Sequence, residues 1–136
     1  FTAGNEEVIV NYLGWNLQLQ ICYDLRFPEI VRNKILSNQT PAFDVILYVA
    51  NWPKKRSTHW DALLKARAIE NQCYVIGVNR VGIDEKGLDY LGGSKLVSAL
   101  GETTSLHQES ECTQTVVLKS NDLNKIRKTL PFLKDR

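Results

Sequence analysis

No apolar run in the sequence approaches the roughly 20 residues of a membrane-spanning helix, and the first residues lack the basic-then-apolar order of a secretory signal. We therefore expect no membrane partner. Methionine is absent altogether, and the chain opens on Phe1, which leads us to expect a piece of something longer. Cysteine is scarce: Cys22, Cys73 and Cys112 are odd in number, far apart, and in or beside strand-like runs. Such cysteines form neither a disulfide framework nor a metal clip, and a reducing, cytoplasmic setting is expected. Histidine is scarcer still, with His59 and His107 alone and no CxxC, HxxxH or HExxH spacing, so no metal is expected. Gly92-Gly93-Ser94 lacks the GxxxxGK[ST] pattern and no GxGxxG occurs, which removes the phosphate loops and leaves no cofactor to expect. Charge of one sign is also lacking: 17 Lys and Arg against 15 Asp and Glu leave +2, no basis for a nucleic-acid partner. The local Lys54-Lys55-Arg56 run reads as a solvated loop.

What is present is globular. With 43% apolar and 24% charged residues, the 136-residue chain suits one domain, residues 1–136. Leu17, Leu19 and Ile21 alternate with Gln18 and Gln20, the period-2 pattern of a strand with one apolar face. That strand runs straight into Cys22. Beyond it Phe27, Ile30, Val31 and Ile35 fall at helical spacing, with Pro28 suited to a first turn, which predicts a helix over 28–37. Such a strand-to-helix elbow lifts a side chain out of the sheet beside free backbone N–H groups.

Upstream, Val8 to Leu13 read as a strand and Gly14 as its turn, so 8–21 is an antiparallel hairpin. Asp44–Ala50 is a continuous apolar run, as in a strand covered on both faces. It ends in Asn51-Trp52-Pro53. Thr58 with Asp61 three residues on suggests a capped helix over 58–72. Trp60, Leu63, Leu64 and Arg67 form one stripe of it, and Ala62, Ala66, Ile69 and Cys73 another, as in a helix packed on both sides. Cys73–Val78 is a second buried strand opening on Asn79-Arg80. This strand and helix order puts Cys22, Asn51-Trp52 and Asn79 at the C-terminal ends of three successive strands, where open α/β sheets bind ligands. Residues 82–94 read as loops and a tight turn, 95–100 and 115–118 as further strands. Leu123, Ile126 and Leu130 mark a final helix capped at Ser120 or Asn121 and stopped by Pro131.

Each candidate has two readings. Cys22 is a nucleophile or a small buried apolar residue at a strand end. A Cys-His hydrolase would require His59 to reach Cys22. Asp24 is expected to bond the elbow's own backbone, and Glu29 to favour a helix start. Arg26 can grip a substrate carboxylate or pair with Asp24 or another acid. Asn51 and Trp52 shape a pocket or simply end a strand, and Trp15, Tyr48 and Tyr74 read as packing residues.

Taken together, ICYDLRFPE, DVILYVANWP and HWDALLKARAIENQCYVIGVNRVG resemble the carbon–nitrogen hydrolase (nitrilase) superfamily, within it the omega-amidase-like branch. The blocks cover about half of the chain. The resemblance implies an α/β fold, the nitrilase-type α-β-β-α sandwich, of which this chain looks like the C-terminal half. It implies amide hydrolysis through a thioester on Cys22, with the Tyr23 backbone N–H at the oxyanion and Arg26, Asn51 and Trp52 about the substrate. The family's general-base Glu, its Lys and a second Glu match no residue here, so a missing N-terminal half is expected as a partner. The substrates implied are small amides, omega-monoamides of short dicarboxylic acids such as 2-oxoglutaramate. Family members pair through the two helices after the nucleophile, here 28–37 and 58–72, so a homodimer or higher even oligomer is expected. The alternative is a non-catalytic fragment or interaction module with the same fold.

Overall fold

The structure, a computed structural model, describes residues 4–105 and 110–135. His107 and the Phe1-Thr2-Ala3 segment, singled out above, lie outside them. Strands β1 (Ile9–Tyr12) and β2 (Trp15–Ile21) form the expected hairpin, in register from Ile9 opposite Gln18 to Tyr12 opposite Trp15. Leu13 and Gly14 both adopt positive φ, 50° and 81°, as a tight two-residue hairpin loop requires. Strand β3 (Val45–Ala50) runs parallel to β2, and β4 (Tyr74–Asn79) parallel to β3, with helix α1 (Ser57–Asn71) as the crossover between them. Strands β5 (Val81–Ile83) and β6 (Asp89–Leu91) make a separate hairpin within the glycine-rich stretch. Strands β7 (Lys95–Val97) and β8 (Thr103–Ser105) complete a six-stranded sheet in the order β1-β2-β3-β4-β7-β8. Helix α2 (Ser120–Thr129) follows. The α/β class is as expected.

The two faces of the sheet differ. On one, Ile46, Tyr48 and Val75 pack against Trp60, Leu64 and Ala68 of α1. The helix comes so close that a Cβ on Gly77 would meet Leu64 Cδ1 at 2.6 Å and Trp60 Cζ2 at 2.7 Å. Gly77→Ala should therefore destabilise the protein by about 1–3 kcal/mol, read from urea unfolding. On the other face α2 lays Leu123 and Ile126 over Val45, Tyr74 and Leu17. It is held there by Arg127, whose guanidinium donates to Asp44 Oδ1 at 2.7 Å and to Phe43 O and Gln72 O, each at 2.9 Å. Toward the strands' C-terminal ends this cover stops. Ile21, Val49 and Val78 stand in register across three strands, 66%, 54% and 47% exposed. The 44–50 run is thus covered on one face and only partly on the other, which corrects the expectation of a strand buried on both.

Three further expectations are corrected. No helix spans 28–37. Two 3-10 turns, Cys22–Arg26 and Pro28–Val31, stand in its place, and Arg32 is already extended at φ −77°, ψ 116°. The buried Asn33 pulls the chain away from a helical course: its backbone N–H donates to Asn71 Oδ1, and its side-chain amide to Phe43 O and Asn71 O, each at 2.9 Å. A subunit contact through a helix at 28–37 falls with it. Residues 115–118 form no strand; the chain there is irregular, with Leu118 packed beside α2's cluster. Helix α1 begins without the Thr58 cap: Arg56 is its N-cap, no side chain bonds there, and Asp61 instead pairs with Lys95. Its second stripe is open on the outside, Ala62, Ala66 and Ile69 being exposed.

Candidate active site

The parallel arrangement of β2, β3 and β4 brings Cys22, Asn51 and Asn79 to one edge, as the strand order predicts. Cys22 follows the last residue of β2 and takes φ 37°, a left-handed conformation rare for a residue with a Cβ. The chain then closes into the 3-10 turn Cys22–Arg26. Asp24 fastens this elbow from within: its carboxylate accepts the Ile21 N–H at 2.8 Å, the backbone role foreseen for it. Arg67 fastens it from below, donating Nη2–H to Leu25 O at 2.6 Å while Nη1–H donates to Glu70 Oε1 at 2.9 Å. Sequence reasoning had placed Arg67 only in an apolar stripe.

Cys22 is half-buried, and its Sγ lies 3.9 Å from the Asn51 carbonyl oxygen, its sole hydrogen-bond partner among the described residues. Tyr23 is the second residue of the turn, so its N–H is one that the turn's own bonds leave unused. Its side chain is exposed, with the ring 5.2 Å from that of Phe27. Trp52 is buried, donating Nε1–H to Arg56 O at 2.7 Å and packing 5.5 Å from the Trp60 ring. The Arg26 guanidinium lies 4.6 Å over Trp52, a cation–π contact in place of the expected pairing with Asp24. Asn79 joins the strand ends: its Oδ1 accepts the Trp52 N–H at 2.7 Å, and its amide donates to Trp52 O and Gly92 O at 3.0 and 2.7 Å.

Two hollows adjoin this edge. One, about 140 Å³, is walled by Trp52, Trp60 and the Asp61–Lys95 pair. The other, about 480 Å³ and more open, is lined by Asn51, Val78, Asn79, Arg80 and Glu111. The remaining cysteines differ from Cys22. Cys73 lies wholly buried, which pushes its thiol up and keeps it protonated, and Cys112 is exposed. His59 is exposed on the first turn of α1 and does not bond Cys22 Sγ. Among the described residues no group of three His, Cys, Asp or Glu side chains comes together as a metal site would require, and no helix is long and apolar enough to cross a membrane.

The sequence matches the carbon–nitrogen hydrolase family over residues 1–129. This chain belongs to the carbon–nitrogen hydrolase family. The match runs along nearly the whole chain and does not by itself mark it as one half of the family's domain. The chain is 43% identical to the omega-amidase YafV of Yersinia enterocolitica, covering 99% of this chain and 51% of that protein. It is 38% identical to a 2-oxoglutaramate amidase of Paenarthrobacter nicotinovorans, covering 87% of this chain and 38% of that one. A crystal structure of a carbon–nitrogen hydrolase superfamily protein from Xanthomonas campestris, with an arsenic adduct in its active site, superposes at a TM-score of 0.96. That structure is 40% identical and covers 100% of this chain and 52% of its own. The chain therefore spans about half the length of the curated relatives it matches.

Proposed function

We propose that the protein hydrolyses a carbon–nitrogen amide bond through a thioester on Cys22, as an omega-amidase releasing ammonia from monoamides of short dicarboxylic acids such as 2-oxoglutaramate. One observation carries this reading. Cys22 alone of the three cysteines stands on a left-handed elbow at the C-terminal edge of three parallel strands, with Asn51 beside it. The names of the relatives support the amide substrate.

In the proposed reaction a base takes the thiol proton and the sulfur attacks the amide carbonyl carbon. The Tyr23 N–H donates to the oxygen as it gains charge, the C–N bond breaks, and ammonia departs with a proton returned by the protonated base. Water then attacks the thioester, freeing the acid and restoring the thiol. Trp52 and Asn51 wall the substrate. Among the described residues the Cys22 sulfur hydrogen-bonds only a carbonyl oxygen, which cannot take up the thiol proton. The base is therefore assigned to the whole protein rather than to these residues, and the described residues alone should be nearly inert.

Mass spectrometry of the whole protein, acid-quenched during turnover of a short omega-monoamide, tests the reading. The expected result is an acyl adduct on the Cys22 peptide alongside ammonia release. Sustained ammonia release with no adduct on that peptide under any quench time would overturn the covalent route.

A further inference from the structure

Two arginines stand at the strand-end edge, and the structure treats them differently. Arg26 is half-buried with its guanidinium over Trp52, on the side where Trp52 packs against Trp60 of α1. Arg80 is exposed and directly follows β4. Ala50 and Asn79 are the last paired residues of β3 and β4, so Asn51 and Arg80 leave the sheet side by side. The Arg80 N–H donates to Ala50 O at 3.3 Å, which holds it beside the residue whose carbonyl meets the Cys22 sulfur.

The Arg80 side chain is also held in place. Its guanidinium lies 4.8 Å over the ring of Tyr90, whose hydroxyl donates to Asp84 Oδ2 at 2.9 Å. Asp84 in turn accepts the N–H groups of Lys86 and Leu88 at 2.9 Å each, so the platform under Arg80 is anchored in its own loop. Asp84's hydrogen bond, together with burial, pushes the Tyr90 phenol up. Cys22 is near enough for a thiolate there to push the same way. Stacking leaves the edge N–H groups of a guanidinium available, and Arg80 makes no ion pair among the described residues. It lines the cleft of about 480 Å³ together with Asn51, across which Glu111 is the other charged residue.

An omega-monoamide whose amide carbon sits at the Cys22 sulfur carries its free carboxylate a few carbon atoms away. That end needs a planar, pre-oriented cation facing the same cleft. We propose that Arg80 is the specificity-determining residue that holds this distal carboxylate, in place of Arg26. The assignment rests on the amidase reading above. It makes the acidic end of the substrate the feature by which the cleft tells one amide from another, and Glu111 the charge that excludes dicarboxylates from binding too tightly.

The test compares succinamate, which carries the carboxylate, with the neutral succinamide, using the whole protein. Arg80→Gln should lower the succinamate-to-succinamide ratio of kcat/KM by about tenfold to a hundredfold, the worth of a charge-assisted hydrogen bond. Arg26→Gln should move that ratio less than about threefold, on the scale of an indirect contact. Glu111→Gln, which removes the competing negative charge, should lower the KM for succinamate. A ratio left unchanged by Arg80→Gln, or a selective loss seen in Arg26→Gln instead, overturns the assignment, as does a rise in the succinamate KM of Glu111→Gln. If the unmodified protein turns over both amides with equal kcat/KM, the amidase reading stands and only the carboxylate receptor falls. If it turns over neither, both fall together.

Discussion

Cys22→Ala should abolish amide hydrolysis by the whole protein, lowering kcat/KM by about 10⁴-fold or more, while costing only about 1 kcal/mol of stability. The contrast follows from what the sulfur touches. It packs at the margin of the core beneath α1 and makes a single long contact, 3.9 Å, to the Asn51 carbonyl. Removing it takes away little cohesion and every route to a thioester. Ammonia release measured alongside urea unfolding separates the two effects. Activity that survives within about tenfold would show that Cys22 is a packing residue and not the nucleophile, because a missing nucleophile leaves only the catalysis of binding and oxyanion contacts.

Arg67→Met should lower stability by about 3 kcal/mol, the largest structural cost we expect from a single side chain outside the apolar core. Arg67 is 3% exposed. Its loss leaves the Leu25 carbonyl without its donor and Glu70 without one partner, in a region where water cannot substitute freely. Burial pushes the phenol of Tyr48 up, and the nearby guanidinium opposes that push, so Tyr48 loses a favourable neighbour as well. With an m-value of about 1.5 kcal/mol/M, the urea midpoint should fall by roughly 2 M. Arg67→Lys should restore little, because a point charge cannot reach Leu25 O and Glu70 in the fork geometry that Arg67 uses. A midpoint shift below about 0.5 M for Arg67→Met would show that the elbow does not depend on this contact.

The sequence was most readable where periodicity and length agreed. Leu17, Leu19 and Ile21 alternate because β2 has two unlike faces, and Val45–Ala50 is apolar throughout because its neighbours on both sides are strands. From those runs the elbow and the three strand ends could be placed, as could the purpose of Asp24. The 28–37 stretch deceived because Phe27, Ile30, Val31 and Ile35 satisfy a helical repeat, while the deciding interactions come from far away. Asn33 bonds Asn71, 38 residues on, and Phe43, and no local pattern announces such a bond. Arg67 and Arg80 were hidden for the same reason. A charged residue on a helix or after a strand looks solvated until the chain folds a carbonyl or an aromatic ring against it. Asp61 shows the reverse case: its spacing from Thr58 suits a helix cap, but Lys95, 34 residues later, takes it.

The backbone at residue 22 sets stability against chemistry. At φ 37° any side chain with a Cβ carries a cost of about 1 kcal/mol that glycine escapes. Selection for robustness alone would therefore replace Cys22 with glycine, and selection for turnover alone forbids it. The occupant of this one position thus serves as a ledger of whether a related chain is still under selection to react.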